Sequence, residues 1–153
     1  MSGTFQDLLD ILSEKLGTPL TAGLHNSIAI DINHEVTVQL ELDNVKEYLL
    51  MGATVALLQP EPVRDRIFMK ALLANGNIYN TTGTFSFVPK KGYFYMHKAY
   101  FFQTIDPEPF FHDLLLFADR VLAWKKAIRS GHPGPEDPNE FPSETVTETA
   151  EKI

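Results

Sequence analysis

VRDRIFMKALLANG, Val63 to Gly76, is the stretch that decides the fold. Val63, Ile67, Ala71 and Ala74 recur at helical spacing and form one stripe, with Phe68 and Leu72 beside it. Arg64, Asp65, Arg66 and Lys70 mark the wet side. Pro62 suits a first helical position and Gly76 a terminating one, so the spacing predicts a short, sharply ended helix. On either side of it the pattern is that of strands. The helix therefore divides a sheet into two blocks.

Before it, residues 4–17 form a first helix, with Phe5, Leu8, Leu9, Leu12 and Leu16 on one face. Thr4 can cap its start, and Gly17 with Pro19 ends it. Ser27 to Asn33 then alternates, with Ile28, Ile30 and Ile32 on one side. Glu35 to Asp43 alternates again, with Val36, Val38, Leu40 and Leu42 together. The Asn33-His34 connection between them reads as a hairpin. Tyr48 to Leu58 is apolar on both faces, which predicts a central strand.

After the middle helix, Gly83 to Val88 places Phe85 and Phe87 on one face. Tyr93 to Phe102 is aromatic on both faces. Asp106-Pro107 opens a last helix through about Arg129, striped by Phe110, Leu114, Phe117, Ala118, Val121 and Ile128. The order is α-β-β-β-α-β-β-α. It predicts an α+β domain over residues 1–131, a twisted, largely antiparallel sheet with helices packed on it.

From His132 onward Gly, Pro, Ser, Thr and Glu dominate. Such a segment buries too little apolar surface to offset ordering at roughly 1–2 kcal/mol per residue, so residues 132–153 are expected to be a disordered acidic tail. Six of the twenty acids and one of the thirteen bases lie there, so the tail carries −5 of the net −7 and the rest −2. A nearly neutral body with an acidic tail lacks the basic footprint of a nucleic-acid binder. No run of 18 apolar residues predicts a membrane span, and the first ten residues lack the basic and apolar regions of a secretory signal. Without cysteine there are no disulfides, thiolate metal sites or cysteine nucleophiles.

Catalytic signatures are missing: no G-x-G-x-x-G, Walker loop, G-x-S-x-G or H-E-x-x-H. His25, His34, His97, His112 and His132 are scattered, and none pairs with another ligand at metal spacing on one element. Asp31 and Glu41 lie on neighbouring strands, but a solvated strand face explains them better than acid–base work. The positive signal is an excess of apolar surface on the third and fifth strands. Each large side chain left exposed forgoes roughly 1.5–3 kcal/mol, which argues for a partner chain. The reading is a protein that binds other chains, not an enzyme, with no metal or cofactor.

The order of elements, Phe5-x-x-Leu8-Leu9 opening the first helix, Leu72-Leu73-Ala74-Asn75-Gly76 ending the second and Trp124 late in the last resemble the class I type III secretion chaperones of the Tir chaperone (CesT/SycE-like) family. The resemblance covers residues 4–130 or so. It implies a homodimer in the bacterial cytoplasm that binds the N-terminal segment of a secreted effector. The segment is kept extended and secretion-competent and is delivered to the export ATPase. The resemblance puts Phe68, Leu72, Phe85 and Phe87 near the two-fold axis. It sets the effector against patches drawn from Phe5, Leu9, Leu12, Ile30, Val36, Val38 and Leu40. A homodimeric regulatory or scaffold domain of the same fold, without a secreted client, is the alternative.

Overall fold

A computed structural model describes residues 1, 3–77 and 82–137. Its elements are α1 (Phe5–Leu16), β1 (Ser27–Ile32), β2 (Val36–Asp43), β3 (Tyr48–Leu57), α2 (Val63–Asn75), β4 (Thr84–Val88), β5 (Tyr93–Phe101) and α3 (Pro107–Arg129). Short 3-10 turns precede β1 and follow β5. The order read from the sequence is the order observed.

The five strands form one sheet in the order β1-β2-β3-β5-β4, antiparallel at every pairing. β3 is the central strand, as its two apolar faces require. α2 carries the chain from β3 across to the far edge, where β4 begins, and β5 returns to fill the gap between them. The helix that divides the strands in sequence is thus a crossover between non-adjacent positions. At the β1–β2 turn, Asn33 and His34 both adopt positive φ, the backbone of a primed hairpin turn. Ile32 pairs with Val36, and Asp31 pairs with Thr37 instead of Glu41.

α1 begins with a reciprocal cap: the Asp7 N–H donates to Thr4 Oγ1 (3.2 Å) and the Thr4 N–H to Asp7 Oδ2 (2.7 Å). α3 lies across β2 and β3, and α1 packs beside α3. Both helices cover the same face of the sheet. The core between them holds Leu8, Leu9, Leu12, Val38, Leu40, Met51, Met96, Phe117 and Trp124, all essentially inaccessible.

α2 packs against β4. Ile67, Ala71 and Ala74 are buried, as the stripe predicts. Its start differs by one residue from the expectation, while Gly76 is the terminating residue as expected. Pro62 is the cap residue and Val63 the first helical one, and Gly76 keeps a right-handed φ of −75°. The end is marked by Asn75, whose amide donates to the Phe85 carbonyl (2.9 Å) and accepts from the Phe85 N–H (2.8 Å). A side chain here occupies the backbone positions that another strand would take.

The boundary near residue 131 is displaced. Residues 132–137 run back over the body: Gly134 is buried, and Lys70 Nζ donates to the Pro135 carbonyl (2.5 Å). Residues 138–153, the remainder of the expected tail, lie outside the described residues.

Candidate functional site

Two sheet edges were candidates for receiving a partner strand, and the structure treats them differently. The β4 edge is closed at Phe85 by Asn75. The β1 edge is open. On its outer side the Ser27 carbonyl accepts from the Gly23 N–H (2.8 Å). Alternation along the strand then turns the N–H and C=O of Ala29 and Asp31 outward as well. No hydrogen bond from the described residues reaches them on that side.

Beside this edge runs a groove of about 620 Å³, between β1 and the chain at residues 16–21. Its wall is held off β1 by α1. Gln6 Nε2 donates to the Leu20 carbonyl (3.0 Å), the Ala22 N–H donates to Gln6 Oε1 (3.0 Å), and the Leu20 N–H donates to Ser13 Oγ (2.8 Å). These polar residues of α1, which the helical stripe leaves outside, keep the following segment from collapsing onto the strand. Leu16, Leu20, Ile28 and Leu115 give the groove an apolar floor, with Asp31 and His34 at its end. His34 Nδ1 lies 3.2 Å from Asp31 Oδ2. An edge with free backbone groups beside an apolar trough matches an extended segment that adds a strand and buries alternate side chains.

A second surface belongs to α2. Met69, Leu72 and Leu73 are 61–65% exposed and lie three and four residues apart on one side. Next to them Phe68 is half-buried, its ring centroid 3.6 Å from that of Phe87. Phe87 continues to Phe94 (5.0 Å), and Phe94 to Phe85 (5.2 Å) and Trp124 (5.7 Å). One aromatic chain thus ties α2 through β4 and β5 to α3, each pair adding about 0.5–1.5 kcal/mol beyond burial. Beneath it Arg120 is fully buried, its guanidinium 5.2 Å from the Phe85 ring centroid. Burial lowers this guanidinium to about 10, opposed by the Asp137 charge, so it stays cationic at neutral pH.

The sequence-derived site residues fall as follows. Phe5, Leu9, Leu12, Ile30, Val36, Val38 and Leu40 all lie inside the core, each at most 4% exposed. Their alternation is real, but the faces they line are the ones that α1, α3 and the sheet turn toward one another. Only Ile30 borders the β1 groove, as part of its floor. Of the four residues assigned to the two-fold axis, Leu72 is exposed, Phe68 and Phe87 are half-buried, and Phe85 is buried. Met69 and Leu73 were not singled out. The signal lies in the spacing from Met69 to Leu72 and Leu73, but residues 67–74 of α2 are apolar on nearly every side except at Lys70, so one stripe hides the other.

Among the described residues there is no group of three or more potential metal ligands, and no helix is long and apolar enough to cross a membrane.

No family model and no curated protein matches the sequence. Solved structures do. The chain superposes on a chain of the ExsC–ExsE complex with a TM-score of 0.66 at 21% identity, over 78% of this chain and 90% of that one. The chain has the secretion-chaperone fold. A chain of the HopA1–SchA chaperone–effector complex gives 0.63 at 18% identity, over 82% and 93%. A chain of the complex between the Yersinia pestis type III secretion chaperone SycH and a stable fragment of YscM2 gives 0.59 at 15% identity, over 78% and 98%. At these identities the likeness is one of fold.

Proposed function

We propose that this chain is a bacterial, cytoplasmic type III secretion chaperone. It acts as a homodimer that binds the N-terminal segment of an effector and holds it extended for delivery to the export ATPase. It works by binding alone and turns nothing over. The observation that carries this reading is the asymmetry of the sheet, with β4 clipped by Asn75 and β1 open beside an apolar groove. An extended client adds to β1 at Ala29 and Asp31. The buried residues Ile30, Val36, Val38 and Leu40 anchor β1 and β2 to the core behind it. Likeness of fold to chains from chaperone–effector complexes supports the same reading.

The second copy covers the exposed side of α2. Met69, Leu72 and Leu73 together forgo several kcal/mol while wet, at roughly 1.5–3 kcal/mol for each full burial. The test is co-expression with N-terminal segments of secreted proteins, followed by light scattering of the purified complex. The expected particle holds two copies of this 17.2 kDa chain and one client. Leu72→Asp reduces it to monomers, and Ala29→Pro, which removes an outward N–H, releases the client and leaves the dimer. A wild-type monomer at micromolar concentration sinks the dimer, and client binding unchanged by Ala29→Pro sinks strand addition.

A further inference from the structure

The last helix does not simply release the chain into solvent. Gly131, at φ +87°, takes the left-handed position past the end of α3. Its N–H donates to the Ile128 carbonyl (3.0 Å) and the His132 N–H to the Ala127 carbonyl (2.9 Å), a pair of bonds that turns the chain back. Residues 132–137 then return along α3, reaching first Trp124 and then the neighbourhood of Arg120, one turn nearer the start of the helix. Pro133 and Pro135 fix φ at two of these six positions, so the segment loses less freedom on docking than an ordinary one.

The same segment touches α2. At the buried Gly134 a Cβ would lie 2.9 Å from Trp124 Cζ3 and 3.3 Å from Lys70 Cδ, so one residue is wedged between the two helices. Lys70 Nζ donates to the Pro135 carbonyl (2.5 Å) and, at longer range, to the Glu136 carbonyl (3.4 Å). The Asp137 carboxylate supplies negative charge to Arg120, a fully buried cation against the Phe85 ring.

These contacts give α2 a second flank. Phe68, stacked on Phe87 of β4, and Lys70, bound to Pro135, are about 160° apart round the helix, on opposite sides. The exposed Met69, Leu72 and Leu73 lie between them. Beneath, α2 rests on β4, an edge strand, through a buried stripe of Ile67, Ala71 and Ala74. Two of those three are alanines, which bury little apolar area, so the flanks decide how firmly the helix is seated.

We infer that residues 132–137 are a latch. Engaged, they clamp α2 between β4 and α3 and hold its apolar side in the position that meets the second copy. Released, they let α2 shift, and self-association weakens. The inference rests on the proposed dimer and adds a control to it, exercised by the first residues of the acidic C-terminal segment.

The test uses the full chain carrying Lys70→Cys and Glu136→Cys, which in a sequence without cysteine are its only thiols. Unlinked, this variant lacks the Lys70 bond to Pro135. Joined within one chain by a short bis-maleimide, confirmed by mass, it has the latch closed. Circular dichroism checks the folding of both forms. If release leaves α2 seated about a third of the time, self-association, which needs two seated copies, weakens about tenfold. Sedimentation should therefore give the unlinked form a dimer dissociation constant at least about tenfold higher than the linked form. Asp137→Lys, which sets a second cation beside Arg120, should shift the wild type in the same direction. Hydrogen exchange reads the latch without a second copy. In a Leu72→Asp background the α2 amides should exchange at least about tenfold faster unlinked than linked, with α1 unchanged. Equal dissociation constants in a dimeric protein, α2 exchange indifferent to the linker, or an equal rise in α1, overturns the inference. A monomeric wild type sinks the dimer reading and with it the control of the seam; the exchange comparison then decides whether the segment holds α2 at all.

Discussion

Removing the Asn75 side chain tests the device that distinguishes the two sheet edges. In Asn75→Ala the Phe85 N–H and C=O lose their partner among the described residues on the outer side of β4, at 2.8 and 2.9 Å. Both bonds are partly buried. A typical net hydrogen bond contributes about 0.5–1.5 kcal/mol, and a stranded buried group costs about 1–3 kcal/mol. Water reaches part of this edge, so the two losses together come to about 2 kcal/mol. For a domain of this size that lowers Tm by about 7 °C. The assay is urea unfolding at fixed protomer concentration, because self-association would otherwise move the midpoint. Asn75→Asp provides the internal comparison: it keeps an acceptor for the Phe85 N–H but faces the Phe85 carbonyl with a second acceptor, so it should be no better than Ala. Asn75→Ala within about 0.5 kcal/mol of wild type would refute the clip as a stabilising element, since that is the scatter of ordinary surface substitutions.

Two other outcomes follow from the same structure. Burial raises the Asp119 carboxyl above its ordinary value, so the native state holds this proton more tightly than the unfolded chain does. That contribution is fully present below the unfolded pKa and is lost as pH rises through the folded one. Asp119→Asn should therefore raise the urea midpoint at pH 7, and its advantage should vanish on acidification; an advantage that grows instead has the sign wrong. Gly134, at φ +155°, would place a Cβ 2.9 Å from Trp124 Cζ3. Gly134→Ala should lift residues 132–137 and cost about 1–3 kcal/mol, read as a shift in the fluorescence of the single tryptophan; an unshifted spectrum at unchanged stability would show that the segment carries no load.

By itself the sequence determined the eight elements, their order and their antiparallel character. It did so because each stripe has a period, 3.6 or 2, that only one kind of backbone can bury. Phe5, Leu8, Leu9 and Leu12 had to share one side of a helix, and Val36, Val38 and Leu40 one side of a strand. The period does not say what covers that side. The resemblance sets Phe5, Leu9, Leu12, Val36, Val38 and Leu40 against a partner, whereas the structure places them in the core. Tertiary structure alone decided which surfaces remain: the β1 edge and the Met69-Leu72-Leu73 side of α2. Each depends on contacts between residues far apart in the chain. Gln6 and Ser13 hold residues 20–22 away from β1. In the stretch VRDRIFMKALLANG, Asn75 reads locally as the end of a helix. Only the packing of α2 on β4 turns its amide into the stop on one edge of the sheet, which leaves the other edge to receive a partner.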